Sequence, residues 1–150
     1  MTPQNSVSVL SEDECWQLLS SVTLGRLVAT MGTRLEIFPV NFVVQRRTVL
    51  FRTAEGTKLI SALFNDRVLF EADDHNVVDG WSVIVRGEPH LLEQPDEIAE
   101  AERGQLLSWI PTVKRRYVRI RSQEISGRRF VFGSEPEDGA GIRPAGSPPA

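Results

Sequence analysis

The stretch "FRTAEGTKLISAL", Phe51 to Leu63, changes period in its middle. Phe51-Arg52-Thr53 alternates apolar and polar residues as a strand does, whereas Thr57 to Leu63 carries apolar residues at helical spacing, with Ala54-Glu55-Gly56 as the hinge. The sequence therefore predicts a strand, a glycine turn and a short helix from about Thr57 to Phe64. Such a corner would gather the Arg52 guanidinium, the Thr53 and Thr57 hydroxyls, the Lys58 ammonium and the free N–H groups of a helix start, which is the chemistry of an anion site. A plainer reading makes Arg52 and Lys58 solvated surface charges. Lysine in a first helical turn opposes the helix dipole unless an anion is near, and Glu55 could be that anion.

Outward from this corner the period is two. "GRLVATM", "RLEIFPVNFVV" and "RTVLFRT" read as three strands joined by short turns at Met31-Gly32-Thr33-Arg34 and Gln45-Arg46-Arg47. Pro39 lacks an N–H, so its strand bends, bulges or runs along an edge there. "RVLFEAD" and "GWSVIVRGEPHLLE" are two further strands around the acidic loop "ADDHNVVDG". "YVRIRSQEISGRRFVF" puts Val118 and Ile120 on one face and Tyr117, Arg119 and Arg121 on the other, with a turn expected at Ser126-Gly127 before a last strand.

Two helices are expected beside the one at Thr57. Ser11 with Glu14 three residues on forms a capping box, and a helix of about three turns should follow, with Cys15, Leu18, Leu19 and Val22 on its buried face. Pro95 and the early acids of "QPDEIAEAERGQLL" mark the other. Residues 1–10 read as an N-terminal arm of low order, residues 11–133 as one domain, and residues 134–150, rich in Pro, Gly and acid, as a disordered tail. Five or six short strands with brief helices favour a small antiparallel barrel. A doubly wound sheet would need a helix of a dozen residues after most strands.

With 150 residues, 41% hydrophobic and 25% charged, the chain is long enough for one globular core. A net charge of −3 argues against general nucleic-acid binding. The arginine-rich "KRRYVRIR" offers one aromatic, a poor stacking platform. The single cysteine, Cys15, excludes an internal disulfide and fits a reducing, cytoplasmic setting, and no apolar run is long enough to span a bilayer. His75 and His90 stand alone, with no second ligand at metal spacing, so no metal site is expected, and a haem-binding variant would have no evident axial ligand beyond these two histidines.

Taken together, "FPVNFVV", "VLFRTAEGTKL" and "GWSVIVRG", in this order and spacing, resemble the flavin-binding split β-barrels related to pyridoxamine 5'-phosphate oxidase, especially their short actinobacterial members. The resemblance covers Leu10 to about Phe132. It implies a mainly β fold, an antiparallel split β-barrel with short helices at its hairpin connections, and a homodimer with FMN in a groove at the subunit interface. By that resemblance Arg52, Thr53, Thr57 and Lys58 would hold the phosphate and ribityl end. Pro39, Val40 and Asn41 would run along the ring, Ser82 and Val83 would approach the ring or ribityl chain, and Trp109 would add a contact from the partner subunit. The same residues have ordinary structural readings: Asn41 satisfying a strand edge, Ser82 facing solvent, Trp81 in the core, Trp109 anchoring a loop. The arginine- and tryptophan-rich C-terminal segment of full-length pyridoxamine phosphate oxidases is replaced by "YVRIRSQEISGRR", so vitamin B6 synthesis is not implied. No residue is an obvious acid–base catalyst; the cofactor would carry the redox chemistry. A deazaflavin coenzyme on the same fold, and a non-catalytic flavin carrier or redox sensor, are the alternative functions. The small-molecule substrate is not legible.

Overall fold

The computed structural model describes residues 6–54, 67–106 and 115–133. Among these residues seven strands and two helices follow in the order β1 (Val7–Val9), α1 (Glu12–Leu19), β2 (Leu24–Met31), β3 (Arg34–Gln45), β4 (Thr48–Ala54), β5 (Val68–His75), β6 (Asp79–Leu91), α2 (Pro95–Glu102) and β7 (Arg115–Val131). All pairings are antiparallel. The strand order is β1-β7-β4-β3-β2-β5-β6, and β6 pairs back onto β7 to close a barrel. The expected helix over Thr57–Phe64 and the expected tail lie outside the described residues.

Local chemistry places each element. Ser11 Oγ accepts from the Glu14 N–H and the Glu14 carboxylate accepts from the Ser11 N–H, so the capping box starts α1 where the sequence predicts. The helix stops at Leu19, with Ser20 as C-cap, a turn earlier than the apolar spacing suggests; Val22 packs on the core from the following turn. Ser11→Ala should therefore cost about 1 kcal/mol of unfolding free energy, read by chemical denaturation. The β3–β4 hairpin turns on Arg46 and Arg47, both at positive φ (48° and 53°), a left-handed pair that matches strand twist but normally favours Asn-Gly. The Asn76 carboxamide oxygen accepts from the Val78 and Asp79 N–H groups and closes the β5–β6 turn.

The barrel interior is one apolar cluster. Phe42 and Phe70 meet edge to face at 4.7 Å, with Val49, Phe51, Val83, Val85, Val118 and Ile120 around them, and α1 plugs one end with Cys15, Trp16 and Leu19. Burial pushes the Cys15 thiol up, in keeping with a packing role. A smaller cluster of Leu50, Leu92, Ala101 and Leu106 lies on the opposite face of β4, beneath α2.

Two expectations need correction. The arm of low order is in part a strand: Val7–Val9 pairs with Phe130–Arg128 of β7, and Leu10 enters the core. Ser126-Gly127 is not a turn, because β7 runs unbroken from Arg115 to Val131. Gly127 serves close approach instead; a Cβ there would stand 2.7 Å from Cys15 Sγ and 2.9 Å from Leu10 Cδ1.

The outer face of β2, β3 and β5 is unusual for a surface. Leu35 and Ile37 are 75% and 60% exposed, in line with exposed Pro39, and Val28 pairs beside Ile37. Within this face Arg26 bridges Glu71 and Asp73. Burial opposes the Arg26 charge, but its two carboxylate partners outweigh that and hold its pKa above the ordinary value. The Glu71 carboxyl is pushed up to about 7, by burial first and then by Asp73, while Arg26 pulls it down.

That shift has a pH signature. An acid whose folded pKa is raised from 4.5 to about 7 holds a proton in the native state that the unfolded chain has released, so its contribution is full below 4.5 and is lost as pH rises towards 7. Glutamine mimics the protonated form. The Glu71→Gln variant should therefore gain stability relative to wild type between about pH 5 and pH 7.5, read as diverging denaturation midpoints. Parallel curves would show that Glu71 titrates normally.

Candidate functional site

The register of the sheet creates a split. β3 pairs with β4 only from Phe42↔Phe51 to Gln45↔Thr48. Beyond that, β3 stays with β2 through Asn41, Val40 and Pro39, and β4 stays with β7 through Arg52↔Tyr117, Thr53↔Arg116 and Ala54↔Arg115. The edges of β3 and β4 that face each other past Phe42 and Phe51 thus have no ladder between them. Pro39, without an N–H to pair, sits on one of these edges, as the sequence requires of a proline within a strand. Pro39 is exposed, and Val40 and Asn41 are half-buried.

Alternation along β4 divides the predicted phosphate residues between its two faces. Phe51 lies in the barrel core, so Thr53, in phase with it, reaches the inner rim at the mouth of the split. Arg52 lies on the other face with Leu50. Its Nη2 donates to the Leu106 carbonyl, and its guanidinium carbon is 5.7 Å from the Tyr117 ring centroid. Its Nε is buried with no acceptor among the described residues. Neither aspect is that of a solvated charge.

Sequence reasoning missed Arg116. It pairs with Thr53 and is in phase with the core residues Val118 and Ile120, so its guanidinium stands on the inner face with Thr53, opposite the face that carries Arg52. The signal was present in "RRYVRI": an arginine in register with two core positions of its own strand. Thr57, Lys58 and Trp109 lie outside the described residues.

The chain does not bring Ser82 and Val83 to the split. Val83 is fully buried and its side chain fills the core. Ser82 is on the outer face, paired with Asp73 and Arg128, and two strands, β5 and β2, separate it from β3. Trp81 is buried in the core.

On the inner face at the end of β4, the Thr53 hydroxyl and the Arg116 guanidinium suit a phosphoryl group beside an unladdered gap into which a planar ring could lie along β3, while the Arg52 Nε, buried with no acceptor among the described residues, lies on the other face of the strand. A charge-assisted contact of this type contributes about 1.5 to 3 kcal/mol net.

Similar proteins share this architecture. The solved structure of an FAD-binding protein from Mycobacterium smegmatis is 57% identical, covering 83% of this chain and 99% of the other, with a TM-score of 0.75. An uncharacterised Mycobacterium tuberculosis protein is 57% identical over 95 residues, which span 63% of this chain and 86% of that protein. An FAD-binding protein from Mesorhizobium loti, 24% identical over 82% of this chain and 97% of its own, has the same fold with a TM-score of 0.70. The family model for pyridoxamine 5'-phosphate oxidase matches residues 11–129, most of the described barrel, and the chain therefore belongs to that family of antiparallel split β-barrels.

Proposed function

We propose that the protein is a flavin-dependent oxidoreductase that binds FMN as a homodimer, with the cofactor phosphate seated at the corner following β4. The observation that carries this reading is the loss of pairing between β3 and β4 past Phe42 and Phe51, with Thr53 and Arg116 on the inner face of that strand end and Arg52 on its other face. Thr57 and Lys58, three and four residues past Ala54 in chain order, would complete the phosphate cradle. Pro39 to Asn41 would lie along the ring. When bound, the flavin supplies the hydride or electron chemistry, and the protein's part is to bind and orient it.

The homodimer rests on the outer face of β2, β3 and β5. Leu35 and Ile37 are large, adjacent and exposed in one chain, and a half-buried ion cluster lies next to them, a composition suited to a covered interface. A partner subunit on this face would also give Ser82 a route to a cofactor groove between subunits.

A second reading keeps the fold and the corner but takes FAD as cofactor. It is favoured by the FAD-binding description of the 57% identical M. smegmatis protein. The corner reads a phosphate that FMN and FAD share. Spectrophotometric titration of the purified protein with FMN, FAD and a deazaflavin coenzyme decides among them; saturation by FMN near micromolar concentration is expected, and a protein that perturbs none of the three spectra would remove the proposal. A carrier or sensor role would show instead as a bound flavin that no nicotinamide reduces.

A further inference from the structure

Thr48 and Arg52 are four residues apart on the outer face of β4, so roughly 13 Å separates the phosphate corner from the β3–β4 hairpin end. At that end a cavity of about 300 Å³ opens between α2 and β7. Arg119 and Arg121 line it from β7, Glu97 and Glu100 from α2, and Arg46 and Thr48 from the hairpin.

Arg119 is the informative residue. It is only 6% exposed, yet its acceptors are neutral: Nη1 donates to Thr48 Oγ1 at 2.7 Å and Nη2 to Gln45 Oε1 at 3.1 Å. Among the described residues no carboxylate reaches ion-pair distance of Arg119 or Arg121, whereas Glu100 is already engaged by Arg46 at 2.7 Å. A guanidinium buried without a counter-charge is costly, and an anion entering the cavity would relieve that cost. Burial pulls the Arg119 pKa below its ordinary value, Glu100 acting against this, in line with an under-compensated cation. The remaining carboxylate, Glu97, disfavours a doubly charged guest. Leu92 also lines the cavity and belongs to the apolar cluster beneath α2, which suits a short hydrocarbon tail.

We propose that this cavity binds a small singly charged carboxylate with a short apolar tail, its carboxylate received by Arg119 and Arg121, at a site separate from the flavin corner. The two outward arginines of "YVRIR" then belong to this second ligand site.

Butyrate is the probe, with acetate and inorganic phosphate as comparators, and the arginine side-chain N–H resonances are followed by NMR with and without saturating FMN. Saturable shifts of Arg119 and Arg121 by butyrate, smaller affinity for acetate and phosphate, and no competition by FMN are expected. Arg121→Gln should weaken butyrate about threefold and Glu97→Gln should tighten it by a similar factor. Arg119→Gln should weaken it at least about tenfold; should that variant fail to fold, the Arg121 and Glu97 variants decide alone. Linear, unsaturated shifts, affinity indifferent to both of those variants, or a preference for phosphate would each overturn the assignment. Displacement of butyrate by FMN would place the anion in the flavin corner and overturn it too. Flavin uptake is read separately in the visible, so its presence or absence leaves this result interpretable.

Discussion

Arg52→Glu is expected to weaken FMN binding by about 2 to 4 kcal/mol, roughly 30- to 1000-fold in Kd, since it removes a charge-assisted donor and adds repulsion of the phosphate. The residue is half-buried, its Nη2 is held by the Leu106 carbonyl and its Nε is buried without an acceptor among the described residues. Loss of the Leu106 contact alone would act on stability; loss of a phosphate contact acts on flavin affinity. Fluorescence titration with FMN, alongside the thermal midpoint, separates the two. A variant that melts lower but binds FMN as wild type does would return Arg52 to a purely structural role.

The largest effect on folding is expected at Gly87. β6 and β7 change register between Arg86 and Gly87: Arg86 pairs with Glu124 and Gly87 with Ser122, so Gln123 is the extra residue of a bulge in β7. That bulge lets a 17-residue strand bend round the barrel, pairing with β1 at its far end and β4 at its near end. A Cβ on Gly87 would lie 2.1 Å from the Arg121 carbonyl oxygen and 2.9 Å from Ile120 Cγ2. The nearest obstacle is backbone and cannot rotate away. Gly87→Ala should cost at least about 3 kcal/mol, a large part of the 5 to 15 kcal/mol typical of a domain. Urea denaturation reads this directly; a loss under 1 kcal/mol would mean that β7 can shift at the bulge without penalty.

Strand residues with clean alternation were legible from the sequence because their faces differ: Val118 and Ile120 point inward, Tyr117, Arg119 and Arg121 outward, as the period of two demands. The Ser11–Glu14 box and Pro95 announced their helices for similarly local reasons. Gly127 misled because a glycine that permits close approach to Cys15 reads in sequence like a glycine that permits a turn. Val7–Val9 was missed because three residues give no period, and their strand exists only through pairing with β7.

For the candidate residues within the described strands, strand membership was legible and geometry less so. Phe51 to Ala54 and Pro39 lie on strands that part company, yet where the β3–β4 ladder ends depends on which partner each strand keeps, a matter of tertiary register. Arg52 and Thr53 were read as neighbours in one pocket, and alternation sets them on opposite faces of β4. Arg116 joins Thr53 only across a pairing between strands more than sixty residues apart in sequence. Val83 illustrates the converse: its strand was identified, and its inward phase commits it to the core.

The central claim is that the corner after β4 recognises a phosphoryl group, and the most direct test compares FMN with riboflavin on the unaltered protein. The two ligands share the ring and ribityl chain and differ only in the phosphate. FMN is expected to bind at least about 100-fold more tightly, corresponding to two charge-assisted contacts. Equal affinity for FMN and riboflavin would contradict the account, leaving a split barrel whose cofactor, if any, is held by its ring alone.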